Sequence, residues 1–287
     1  MHPLICLVSV LAATPASSSP TSSSSAPRWE KVFEAPGGTK GWLSSVLATP
    51  AGDWFAGGKW GVTRNGKEEE ETPGATILGL SDQGAAGVFA VGSDELVLRF
   101  DGKAWLKEHV GPKPKRRGHG ADLLDSMFVD GEPDAPLVAH GPSLVLARRP
   151  DATWAPVPEA DGKKLLLLAE LGPPSARPPK CSLRAWMWLG RGLAWFACHD
   201  GRSFLYSNGP VTPKGTLAKE CKASISAVGN GGSDVYVGCA GKVWKTGEEG
   251  WRPIEVPKDE REVRAISVAK GCMYLAGRHT VWRNCAL

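Results

Sequence analysis

Val88-Phe-Ala-Val-Gly92, Val97-Leu-Arg-Phe100 and Asp101-Gly-Lys-Ala-Trp105 decide how this chain is read. The first two are short apolar runs rich in β-branched and aromatic residues, separated by a few polar ones, and they read as antiparallel strands covered on both faces. Asp101-Gly102 accepts the positive φ of a hairpin turn, so the chain returns through Trp105 as a further strand. The pattern recurs. Comparable second-strand segments start at Phe55, Phe89, Leu137, Phe196, Tyr236 and Tyr274, with a mean spacing of about 44 residues.

That spacing is the length of one four-stranded propeller blade, and six copies predict an all-β, six-bladed β-propeller. Each unit follows one grammar. An inner strand such as Leu43-Ser-Ser-Val-Leu-Ala48, Ile225-Ser-Ala-Val228 or Val263-Arg-Ala-Ile-Ser-Val268 precedes the Phe-Ala-Val-Gly strand. A third strand follows and ends at Asn65-Gly66, Asp101-Gly102 or Asn208-Gly209, turn dipeptides that return the chain as an outer strand. Trp105, Trp154 and Trp251 occupy that outer strand, whereas Trp29 precedes the first unit and Val281-Trp-Arg-Asn284 ends a third strand with almost no chain left. Both facts are met if the N-terminal segment from Trp29 to Phe33 is the outer strand of the last blade.

Composition agrees with many short strands: the 287 residues include 35 Gly and 23 Pro scattered as turn punctuation. Residues 1–16 read as a signal peptide, with an apolar stretch from Leu4 to Ala13 too short to span a bilayer and a weak n-region in which His2 is the basic candidate. Residues 17–28, dominated by Ser, cannot bury apolar area and read as a disordered tether. The propeller takes 29–287, and a secreted or periplasmic location is expected, with no transmembrane segment.

Export changes how cysteine is read. Beyond Cys6 there are six, an even number in an oxidising compartment. The strand register pairs Cys181 with Cys198 and Cys221 with Cys239. It sets Cys272 and Cys285 symmetrically about the turn Arg278-His279. A metal site is the competing reading. Against it stand the absence of CxxC spacing and ligands that would come from three blades.

The segment Val88 to Gly92 with Val97 to Trp105 resembles the GVFAVG…V-x-R-x-DG-x-x-W repeat of secreted bacterial propellers in the neuraminidase-repeat-like and WD-like superfamily. The resemblance covers nearly all of the mature chain and implies the fold. It says little of activity, because related propellers serve as hydrolases, assembly factors and binding modules. The sialidase Asp-box, Ser-x-Asp-x-Gly-x-x-Trp, has only a fragment here, Asp101-Gly102 to Trp105.

Catalytic constellations are thin. Of three tyrosines, Tyr236 and Tyr274 hold the packing position of Phe55 and Phe89, which leaves Tyr206 for a sialidase-type nucleophile. Nucleophile elbows, HExxH and phosphate-binding loops are absent, and His140 and His199 fall in turns without converging partners. The acidic run Glu68 to Glu71 reads as the outer strand of the first blade, where charge opposes edge-to-edge association.

Two insertions break the grammar, at 109–122 and 159–180. They connect outer strands to the next inner strands, so they should emerge as neighbours on one face. Together they hold Lys113, Lys115, Arg116, Arg117, His119, Lys163, Lys164, Arg177 and Lys180. These residues read as a cationic lobe for an acidic partner or, more plainly, as a solvated loop pair. A net charge of +4, with no aromatic interleaved among these cations, disfavours nucleic acid.

The expected function is therefore a non-catalytic binding or scaffold module for a protein or an anionic polysaccharide, acting as a monomer without cofactor or metal. A glycan-active hydrolase or lyase and an extracytoplasmic assembly factor for a membrane complex stand as alternatives.

Overall fold

The computed structural model describes residues 28–36, 41–71, 76–111, 126–129, 137–141, 144–158, 181, 183–190, 193–207, 210–217, 219–222, 225–231, 234–239, 241–247 and 250–286. Its strands form six four-stranded antiparallel sheets. The chain begins with β1 (Glu30–Glu34). The first sheet is β2 (Leu43–Ala48), β3 (Trp54–Gly58), β4 (Gly61–Arg64) and β5 (Lys67–Glu71). The second is β6 (Ile77–Asp82), β7 (Val88–Gly92), β8 (Val97–Phe100) and β9 (Trp105–His109). The third is β10 (Ser126–Val129), β11 (Leu137–His140), β12 (Val145–Arg148) and β13 (Trp154–Pro156). The fourth is β14 (Leu183–Gly190), β15 (Leu193–Cys198), β16 (Arg202–Ser207) and β17 (Val211–Thr216). The fifth is β18 (Ala227–Gly231), β19 (Asp234–Cys239), β20 (Lys242–Gly247) and β21 (Gly250–Ile254). The sixth has β22 (Ala265–Ala269), β23 (Cys272–Ala276) and β24 (Thr280–Asn284), and its fourth place is taken by β1.

Burial falls from the second strand to the fourth. β3 and β7 are buried at every residue, whereas β17 and β9 are mostly exposed or half-buried. This gradient follows composition. The small and apolar β3 and β7 bury both faces, whereas β9 and β17 carry polar and charged residues such as Lys107 and Lys214.

Among the described residues, five apolar clusters each join two sheets, and a sixth, around Phe196, Phe204 and Tyr206, lies within the fourth sheet. Phe55 and Val62 of the first sheet share one with Ile77, Leu98 and Trp105 of the second. Phe89 and Val97 of the second share another with Leu146 and Trp154 of the third. Trp195 joins Val235 and Trp251 across the fourth and fifth, Tyr236 joins Met273 and Leu275 across the fifth and sixth, and Trp54 joins Tyr274 and Val281 across the first and sixth. The fourth-strand tryptophans reach backward into the preceding sheet: Trp105 meets Phe55 edge-on at 5.5 Å, and Trp154 meets Phe89 at 6.3 Å. Trp251 Nε1 donates to Ser203 Oγ, 3.2 Å, and Trp29 Nε1 donates to the Glu255 carbonyl, 2.7 Å. The Trp repeat is thus a set of inter-sheet contacts.

β1 runs antiparallel to β24, with Glu30 opposite Arg283 and Glu34 opposite Thr280. The described residues on both sides of β1's connection to β2 bond to the tip of the last hairpin. Ala35 N–H donates to the His279 carbonyl at 2.7 Å, Leu43 N–H to the Arg278 carbonyl at 2.9 Å, and the His279 ring Nδ1–H to the Gly41 carbonyl.

Some boundaries differ from the sequence reading. β18 starts at Ala227 rather than Ile225, and β22 at Ala265 rather than Val263. The reason is local, since Arg264 N–H and Ser226 N–H already bond to the second strand, at the Ala276 and Gly238 carbonyls, without continuing a ladder. Asn65 and Gly66 have the expected positive φ, 51° and 80°. Asp94 and Glu95 do as well, at 59° and 54°, in a turn with no glycine. Gly111 N–H caps that turn at the Asp94 carbonyl, 2.9 Å, which helps to offset a strain of about 1–3 kcal/mol per residue.

Candidate functional site

The nine cationic positions of the two insertions (Lys113, Lys115, Arg116, Arg117, His119, Lys163, Lys164, Arg177 and Lys180) lie outside the described residues. Their roots are described. The first insertion leaves β9 beside the start of β8, where His109 faces Val97, and the second leaves β13 beside the start of β12, where Pro156 faces Leu146. They re-enter at β10, whose Ser126 faces His140, and at β14, whose Leu183 faces Cys198. All four roots therefore sit at the sheet edge that carries the turns from second to third strand. The first root is tied down: His109 Nε2 lies 3.3 Å from Glu95 Oε2, beside the capped Asp94–Glu95 turn.

Next to that root is a group that periodicity could not reveal. Glu108 of β9, its side chain 7% exposed, accepts from Arg99 Nε at 2.5 Å, from Arg148 at 2.8 Å through Nε and a terminal nitrogen, and from Trp154 Nε1 at 2.9 Å. Burial opposes its ionisation, but the hydrogen bonds from Arg148, Trp154 and Arg99 prevail and hold the carboxyl below its ordinary range. Arg148 also lies over the Phe89 ring, 5.7 Å from its centroid. The arrangement clamps the second sheet to the third at the base of the first insertion. In the sequence its members look like unrelated surface charges.

Several other carboxylates are held in their ionised form by their neighbours. Asp53, held by hydrogen bonds from Arg64 and Asn65, lies below its ordinary range, and so do Asp101, Asp151 and Asp200, each bonded within its own turn. A carboxyl shifted in this direction is a poor proton donor near neutrality. Tyr236 and Tyr274 are buried core residues, and Tyr206 is buried beside Phe196 and Phe204. His199 is exposed in its turn and His140 ends β11. Among the described residues no group of three or more His, Cys, Asp or Glu could hold a metal ion, and no helix is long and apolar enough to cross a membrane.

The three cysteine pairs sit at disulfide distance: Cys181 with Cys198, Cys221 with Cys239 and Cys272 with Cys285. Two details depart from the register reading. Cys181 precedes β14, whose Leu183 is the residue opposite Cys198, and Cys221 lies in the 3-10 turn Lys219–Lys222 ahead of β18, not opposite Cys239 in the ladder.

No protein-family model matches the chain, and no curated protein matches it in sequence. Solved structures do. YCF48 bound to a D1 peptide is 14% identical with a TM-score of 0.50, over 89% of this chain and 96% of that one. YCF48 from Cyanidioschyzon merolae is 12% identical with a TM-score of 0.48, over 89% and 98%. The WD40 β-propeller domain of Doa1 is 10% identical with a TM-score of 0.45, over 88% and 80%. The likeness to YCF48 bound to a D1 peptide, at 14% identity, concerns the fold alone. Together with the six antiparallel sheets and their shared inter-sheet cores, it makes this chain a β-propeller.

Proposed function

We propose that the chain is a six-bladed propeller closed by β1, exported, and used as a non-catalytic binding or scaffold module. Its recognition surface is a cationic lobe built from the two insertions. The ring reading is supported by the contacts of the first strands: β18 packs on β22, β22 on β2, β2 on β6, β6 on β10, and β14 on β18. Export is supported by the three cysteine pairs.

The observation that carries the functional reading is the common edge from which both insertions leave adjacent blades. Loops on that edge vary without disturbing the ladders, so a ligand site is readily acquired there. Their charge suits an anionic polysaccharide or an acidic protein surface. The test is retention on an anionic polysaccharide column. Wild type should bind at low ionic strength and elute with salt, because at about 0.15 M the Debye length shrinks to about 8 Å. The triple variant Lys115→Glu, Arg116→Glu, Arg117→Glu should flow through with an unchanged circular dichroism spectrum. Flow-through of wild type at low salt, or equal retention of the variant, would show the lobe to be ordinary solvated surface.

A further inference from the structure

The three disulfides differ in their access to solvent and in what they hold. Cys221 and Cys239 are both 0% exposed inside the cluster shared by the fourth and fifth sheets. Cys198 is 1% exposed, and its half-buried partner Cys181 packs on the Phe196 and Phe204 cluster. Cys285 is exposed and Cys272 half-buried. Thiol exchange requires a thiolate to approach a sulfur in line with the bond, so access governs which bridge opens in the folded protein.

The accessible bridge is also the one nearest the chain's closing strand. Met273 faces Asn284, so Cys272–Cys285 fastens the ladder one position beyond its last pair. One residue earlier, Arg283 faces Glu30 and donates to its carboxylate at 2.6 Å. Trp29 then plugs into the fifth sheet through the Glu255 carbonyl. The β1 side chains are only exposed or half-buried, so β1 depends on the order of β24 more than on a core of its own.

We propose that Cys272–Cys285 is a redox-addressable latch. Its reduction by an external thiol such as glutathione frees the end of β24 and loosens β1, while the other two bridges stay closed. An external thiolate attacks Cys285 Sγ, forming a mixed disulfide and expelling the Cys272 thiolate, which takes up a proton. A second external thiolate attacks the external sulfur of that mixed disulfide. Cys285 leaves as its thiol and the two external thiols leave joined as a disulfide, so two electrons pass to the protein.

The intact protein should be incubated in glutathione buffers of graded reduction, trapped by alkylation and mapped by mass spectrometry, with hydrogen exchange on the same samples. Cys272 and Cys285 should be alkylated in buffers where the other four cysteines are not. At that point amides in 29–34 and 281–286 should lose protection while those of β7 and β19 keep theirs. The double variant Cys272→Ser, Cys285→Ser should show the same local loss without reductant. The latch is overturned if another bridge opens first or together with it, if no bridge opens before global unfolding, or if 29–34 stays protected once Cys272 and Cys285 are reduced.

Discussion

The carboxylate of Glu108 and the guanidinium of Arg148 face each other across two blades in a two-pronged contact, both nitrogen–oxygen distances 2.8 Å, although 40 residues separate them in the chain. Arg99 and the Trp154 indole complete the shell around the carboxylate. A buried carboxylate with every oxygen engaged costs little while the shell is whole and much when one member is missing.

Glu108→Ala should therefore destabilise the fold by about 2–4 kcal/mol, because it strands two half-buried guanidinium groups. Urea unfolding would report the loss as a lower midpoint with an unchanged slope. A double-mutant cycle with Arg148→Met should return a coupling of at least about 1 kcal/mol. Additive effects would mean that the contact is incidental.

The same carboxylate predicts an acid sensitivity with a definite sign. Its folded-state pKa lies below the unfolded value, so its contribution is complete above the ordinary carboxylate range and drains away as the pH falls through the lowered folded value. Stability measured from pH 7 downward should drop less steeply in Glu108→Gln than in wild type over that interval. Parallel curves would assign the acid loss to other carboxylates such as Asp53.

Gly229 on β18 lies against the neighbouring blade so closely that a Cβ would come 2.6 Å from the Ile266 carbonyl oxygen. The obstacle is backbone, not a side chain that can swing away, and the fifth and sixth sheets would have to separate. Gly229→Ala should cost about 1–3 kcal/mol as an overpacking change.

Removal of residues 1–33 takes Glu30 to Phe33 from β24 and the Trp29 indole from the fifth blade. The exposed β24 edge should lower the melting temperature or drive aggregation. An unchanged melting temperature would show that β1 is dispensable for the fold.

Local pattern alone was enough to identify the strands, their hairpin turns and the N-terminal segment that pairs with β24. Phe89 to Gly92 alternates within one strand, Asn65-Gly66 encodes its own φ values, and Trp29 is out of place in a spacing otherwise kept by Trp105, Trp154 and Trp251. Each of these signals lives within a few residues or in a fixed repeat, so it survives in one dimension. The Cys272–Cys285 pairing was legible for the same reason, as neighbours across a hairpin. Tertiary structure alone decided the rest. The Glu108 clamp joins residues that share no strand and no repeat position. The glycine-free Asp94–Glu95 turn holds its conformation with help from Gly111, contributed after the following strand. The bonds of Ala35, Gly41 and Leu43 to the Arg278–His279 turn join segments far apart in the chain. These contacts depend on how one sheet stacks on the next, and stacking fixes distances between side chains that hydrophobic period and turn chemistry do not encode.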